Sequence, residues 1–347
     1  MKSGLEAARV SIGESMYGSD KAGLVCAYLF TPEQSARSID ADEAAARLVG
    51  NEEQPHEFLW LHFSLTNAAT EHWLRRHVPL PEVFFESARE HSSTRVEAIA
   101  DSDALLGVVN DVQFFANEAS SASTVSLYVA RRLMVTARTT QLRAIDRLRA
   151  SVKAGGQFRS PAELMAHLLR DQADVLVDIV RDATRQVDAI EDRIITHQTA
   201  SRPKLGTLRR VLVRLQRLLA PEPAALFRLL NKPPAWLTES DLSDLRHSAE
   251  ELSAAVSDSA ALIERIRLLQ EELIALLYEQ TNHTLFILTV VTVLALPLMI
   301  IPGLFGMNVR GIPFSESDTG FWTVLILVAV VAGVGTASAW RWRNRSR

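Results

Sequence analysis

Two uncharged segments near the C-terminus constrain this chain more than any other feature. From Leu285 to Phe305 twenty-one residues pass without a charged side chain, and from Phe321 to Trp340 twenty more. A helix needs about 20 residues to cross the hydrocarbon of a bilayer. Inside that hydrocarbon every backbone amide must bond within the segment, so each run reads as a membrane-spanning helix. The competing reading, a buried hairpin in a soluble protein, requires two spanning-length runs to coincide by chance. Pro297 and Pro302 fall within the first span, where a kink is tolerated if neighbours satisfy the freed carbonyls. Trp322 and Trp340 bracket the second span as interfacial anchors, and Arg341, Arg343, Arg345 and Arg347 follow it as a positive-inside flank. Both termini are therefore expected to face the cytosol.

Those four arginines also reshape the charge balance. The chain of 347 residues carries 41 acids against 37 bases, a formal net charge of −4, so residues 1–340 alone carry −8. That excludes a general nucleic-acid binder. The single cysteine, Cys26, removes intrachain disulfides and cysteine-based zinc sites. A composition of 48% hydrophobic and 22% charged residues excludes a disordered or fibrous chain. The first fifteen residues hold no apolar run fit for a secretory leader, so the part before Leu285 is expected to stay in the cytosol.

That cytosolic part divides by texture. Residues 1–157 alternate β-type runs (24–30, 58–65, 105–115 and a strand pair at 124–138) with helical stretches, which predicts an α/β domain. After Gly155 and Gly156, the run Ser160-Pro161-Ala162-Glu163 supplies an N-cap, a proline at the first helical position and a capping-box carboxylate. A helix is expected from there to about His197, and a second from about Lys204, together a hairpin over 158–239. Arg209, Arg210, Arg214 and Arg217 on the second helix read as a solvated face. From Asp241 to Leu296 there is no glycine or proline, and Leu242, Leu245, Ala249, Leu252, Val256, Ser259, Ile263, Ile266, Gln270, Leu273 and Leu277 keep a three-four repeat. Those 56 residues would span roughly 84 Å as one stalk helix that continues into the first span, so that 240–305 form one element. Self-association is expected of such a stalk.

The segment Pro302-Gly303-Leu304-Phe305-Gly306-Met307-Asn308-Val309-Arg310-Gly311-Ile312-Pro313 closes the first span. Gly-Met-Asn at that place, followed by a short loop (306–320), a second span (321–340) and a basic tail (341–347), resembles the CorA superfamily of divalent-cation transporters. The continuation Val309-x-Gly311-Ile312-Pro313 is similar to its ZntB zinc-transporter branch. The likeness covers most of the chain in outline, including Asp188, Glu191 and Asp192 on the helical hairpin, and is specific at the membrane end.

The resemblance implies a funnel-shaped homopentamer whose five first-span helices line one axial pore, with Gly306, Met307 and Asn308 at the outer mouth. It places Asn282, Leu285, Leu288, Thr292, Leu296, Met299 and Gly303 on the pore face, and Thr289 beside them. An asparagine amide oxygen accepts hydrogen bonds from the waters of a dication without holding the metal as a carboxylate would. Asn308 equally suits a helix C-cap. Thr289 and Thr292 equally suit hydroxyls bonded back to helix carbonyls. Gly303 and Gly306 permit close helix approach or simply loosen the span end. Between the spans Glu316 and Asp318 outweigh Arg310, a weak attraction for cations. Arg310 departs from the small residue usual in that branch and puts its electrostatics in doubt. At the inner end Glu279, Asn282 and His283 are placed to meet metal, with His283 as the candidate zinc ligand beside the reading of an interfacial histidine.

His56, His62, His72 and His77 form no recognisable metal spacing, and no phosphate-cradling loop, nucleophile elbow or dinucleotide fingerprint is present. The chain is thus expected to be no enzyme and to need no cofactor. It is expected to move zinc across a bacterial inner membrane, with proton coupling implied by the branch although neither span holds a carboxylate or histidine. Its partners would be its own copies, the lipid bilayer and divalent cations, with no nucleic acid. Passage of magnesium, cobalt or nickel is the alternative within transport, and a membrane-anchored cytosolic scaffold or sensor the alternative outside it.

Overall fold

A computed structural model describes residues 18–32, 34–49, 57–89, 94–99, 102–112, 122–140, 142–196, 202–307 and 319–345. The chain forms two units, Met1–Leu268 and Leu269–Arg347. The expected α/β part followed by a long helix is met, and two helices near the C-terminus are long and apolar enough to cross a membrane.

The first unit is built on seven strands: β1 (Leu24–Thr31), β2 (Gln34–Ile39), β3 (Phe58–Ser64), β4 (Arg95–Ala98), β5 (Ala104–Val112), β6 (Ala122–Ala130) and β7 (Leu133–Arg138). They pair in the order β2-β1-β3-β7-β6-β5-β4. β3 and β7 run parallel, with Leu59 opposite Leu133, and the other pairs are antiparallel. Both sheet faces are covered, which is why the central strands read as unbroken apolar runs. On β1 and β3, Tyr28, Phe30, Phe58 and Trp60 point into one core, while Ala27, Leu29, Leu59, Leu61 and Phe63 point into the other. Helices α1 (Ala41–Val49), α2 (Ala69–His77) and α3 (Glu82–Arg89) lie on the second face, and α4 (Arg143–Lys153) on the first. The edge strands β2 and β4 were not expected. Their sequences, QSARSI and RVEA, are polar because an edge strand is half exposed, so they carry no apolar signal.

α5 (Pro161–Ile195) starts where the N-cap pattern places it, with the Ser160 hydroxyl accepting from the Glu163 amide at 3.0 Å. The Glu163 carboxylate accepts from the Arg159 amide at 2.6 Å, one residue earlier than in a standard capping box. α6 (Arg202–Leu219) follows, and then α7 (Pro221–Asn231), which the pattern did not separate from it. α7 opens with Pro221 and Pro223 around a fully buried Glu222, whose carboxylate accepts from the Asn110 amide and from Gln172 Nε2, both at 2.6 Å.

α8 (Glu239–Phe305) is one helix of 67 residues. A reciprocal capping box begins it: the Asp241 amide donates to Thr238 Oγ1, and the Thr238 amide to Asp241 Oδ2, each at 3.1 Å. Its buried stripe is Leu245, Leu252, Ser259, Ile266 and Leu273 interleaved with Ser248, Ala249, Ala255, Leu262 and Leu269, so Ala249 is where the repeat placed it. This corrects half of the expected repeat. Val256, Ile263 and Gln270 are only half buried, and Leu277 is exposed, because the second seam runs one residue earlier. Small residues there let α5 approach, and the Ser248 hydroxyl donates to the Ala166 carbonyl at 2.9 Å. Further along, Arg265 of α8 pairs with Asp188 (2.8 Å) and Glu191 of α5.

The second unit holds the end of α8 and all of α9 (Gly320–Arg345). Both are long and apolar enough to cross a membrane, and their apolar side chains are largely exposed.

Candidate functional site

In the second unit the two helices share a face. Phe286, Val290, Leu294, Ile301 and Phe305 on α8 are half buried, as are Val324, Val328, Val331, Ala332 and Gly335 on α9. Gly335 gives a close approach: a Cβ there would stand 2.7 Å from Leu294 Cδ2, so a larger residue forces the helices or the leucine to shift.

Asn282, Leu285, Leu288, Thr289, Thr292, Leu296, Met299 and Gly303 are all exposed. At 3.6 residues per turn they fill one arc of α8, centred roughly 160° from the arc that meets α9. One side of the helix therefore binds its partner span and the other carries the eight residues. Thr289 Oγ1 donates to the Leu285 carbonyl and Thr292 Oγ1 to the Leu288 carbonyl, each at 2.8 Å. The hydroxyl protons are thereby committed to the helix, while the oxygens keep lone pairs toward the open side. Gly303 meets nothing within 4 Å at its Cβ position, so its smallness serves no contact inside one protomer.

Gly306 and Met307 stand exposed just past the helix, with the Met307 amide 3.4 Å from the Leu304 carbonyl. Asn308, Arg310, Glu316 and Asp318 lie outside the described residues. His283 falls on the α8 side that carries Phe286 and Val290, away from the arc of eight. Among the described residues, no three His, Cys, Asp or Glu side chains gather closely enough to hold a metal ion.

The first unit contains a titratable pair, His62 and Cys26, of which His62 is fully buried and Cys26 half buried. His62, fully buried on β3, has Nδ1 2.7 Å from Thr136 Oγ1, which also accepts from Trp60 Nε1 at 3.0 Å. Burial, then the charges of Arg138 and Arg149, hold its imidazole far below the ordinary histidine range. Its register partner Cys26 is pushed up to about 11, by burial against those arginines, and stays a thiol. Two features escaped the sequence pattern. The Arg265 clamp joins residues more than seventy positions apart, and the Gly335–Leu294 approach depends on which way α9 faces; neither leaves a local signal.

Comparison with known proteins supplies the context. Residues 55–340 match the family described as CorA-like Mg2+ transporter protein. The divalent cation transporter CmaX of Pseudomonas aeruginosa is 27% identical, over 90% of this chain and 94% of its own length. The zinc transport protein ZntB of Pectobacterium carotovorum is 26% identical, over 82% and 86%. Among solved structures, full-length CmaX superposes with a TM-score of 0.80 at 24% identity, covering 94% of this chain and 99% of that one. The CorA magnesium transporter of Methanocaldococcus jannaschii gives 0.74 at 20% identity, covering 90% and 96%. At those identities the structures establish the fold.

Proposed function

We propose, since this chain belongs to the CorA family of divalent-cation transporters and is not an enzyme, that it carries zinc through an axial pore shared by five copies. The observation that carries the pore reading is the arc of eight exposed residues on α8, turned away from α9. Two spans cannot enclose a hydrated path, whereas a ring of α8 helices with α9 outside can. In that ring Gly306, Met307 and Asn308 form the outer mouth. Five Asn308 amide oxygens accept from the waters of an arriving dication, and Glu316 and Asp318 raise its local concentration against Arg310. Asn282 marks the inner end, and His283 flanks it, belonging to no cluster of three or more His, Cys, Asp or Glu side chains among the described residues.

The working division is an α/β domain at 1–157, a hairpin at 158–239, stalk and first span at 240–305, an external loop at 306–320, a second span at 321–340 and a basic tail at 341–347. The arginines after Trp340 set the tail, and the segment before Leu285, in the cytosol of a bacterial inner membrane. Zinc is supported by the ZntB relatives, which are named zinc transport proteins. Magnesium is the competing substrate, supported by the family description and by the name of the archaeal neighbour.

Purified protein in liposomes decides between them. Zinc uptake exceeding magnesium uptake at equal concentration is the expected result, and a pH gradient reveals whether protons accompany the metal. Magnesium uptake with no zinc uptake refutes the zinc assignment, and uptake of neither refutes transport of these ions by the reconstituted chain.

A further inference from the structure

Along the exposed arc of α8, the side chains differ sharply in what they offer a metal. Leu285, Leu288 and Leu296 offer nothing, Asn282 an amide oxygen, and Thr289 and Thr292 hydroxyl oxygens, all hard donors. Met299 alone brings a soft donor, its thioether sulfur. It is 75% exposed, more than any other large apolar side chain in either described span. Leu296, one turn before it on the same arc, is 57% exposed and adds no polar atom. Gly303, one turn after it, leaves open space where a side chain would stand. The thioether is thus unshielded by its own helix neighbours on that side.

From this we infer that Met299 forms a soft-metal site, a ring of five thioethers that favours borderline-soft dications such as zinc and cadmium over magnesium. The inference rests on the pore reading of the α8 arc. Without that ring the arc is a wall of aliphatic groups and oxygens, and oxygen ligands suit magnesium at least as well as zinc. A thioether is a weak ligand and releases metal, as a transport path requires. A thiolate at the same place would bind zinc far more firmly.

The test uses the full-length chain carrying Cys26→Ser, reconstituted in liposomes, with zinc and magnesium uptake measured separately and in competition. Met299→Leu keeps volume and removes sulfur. Its zinc-to-magnesium rate ratio is expected to fall about threefold or more, with the larger loss on the zinc side. Met299→Cys is expected to make zinc uptake saturate at lower concentration and turn over more slowly, and cadmium to block it. If both variants keep the unmodified ratio and saturation, the soft-metal site is refuted. The same Met299→Cys protein separates that failure from failure of the pore reading, since a water-soluble thiol reagent should modify it and stop both ions. If the thiol of the Met299→Cys protein stays unmodified while uptake continues, the residue lies away from the ion path and both readings are overturned.

Discussion

Acidifying the protein should weaken its α/β unit through one residue. His62 is fully buried, and its imidazole is held far below the ordinary value of 6.5 by burial and then by Arg138 and Arg149. Well above pH 6.5 the ring is neutral both folded and unfolded and contributes no pH dependence. Below 6.5 the unfolded chain binds a proton that the folded chain refuses, so stability falls as pH falls, until the folded value is reached. The slope for one group approaches about 1.4 kcal/mol per pH unit, which sets a ceiling of about 2 kcal/mol between pH 7 and pH 5. His62→Gln keeps a polar group opposite Thr136 and removes the titration. Denaturant unfolding of the full-length protein in detergent, followed by tryptophan fluorescence, reports on Trp60, whose indole shares that threonine. The unmodified protein should lose more stability than His62→Gln between pH 7 and pH 5, by up to about 2 kcal/mol, while the two run parallel above pH 7. Parallel curves across the whole range would refute the reasoning, because a histidine that charges freely in the fold carries no linkage.

Asn308→Ala should abolish or strongly reduce zinc uptake while the oligomer, weighed by native mass spectrometry, stays intact; loss of a cap alone predicts about 1 kcal/mol of destabilisation with flux preserved. Gly335→Leu should disturb the packing of α9 on α8, since even a Cβ meets Leu294 at 2.7 Å, and a lowered thermal midpoint of the detergent-solubilised protein checks it. With Cys26 replaced, a cysteine at Ser315 should react with an impermeant reagent in intact cells and one at Ser346 should not; the reverse pattern refutes the orientation.

What the sequence disclosed followed where each signal was stored. The central strands were legible because both faces of β1, β3 and β7 are buried, which leaves apolar runs that need no knowledge of the fold. The start of α5 was legible because Ser160, Pro161 and Glu163 are a local code. Beyond the strand pair at 124–138, the strand order and the Arg265 clamp were not, since each depends on residues far apart in the chain, while the break before α7 went unread although Pro221 and Pro223 mark it locally. The stalk repeat was half legible: a seven-residue period fixes one seam, and it does not choose between Val256 and Ala255 for the other, where Ala255 is the buried one. For the candidate site, the apolar spans were explicit. Their facing was not, because a leucine toward lipid and a leucine toward a neighbouring helix are the same letter.

The back-bonded threonines of α8 bear on how water would be ordered along the arc. A file of waters hands a proton onward only if every station both receives and gives a hydrogen. Thr289 and Thr292 direct theirs to the carbonyls of Leu285 and Leu288, so each can receive only. Waters beside them must turn their hydrogens to the wall and their oxygens inward, which is the orientation a dication imposes on its own shell. On the proposed pore wall, the two hydroxyl rings would interrupt a proton relay and leave the hydrated metal's water arrangement undisturbed.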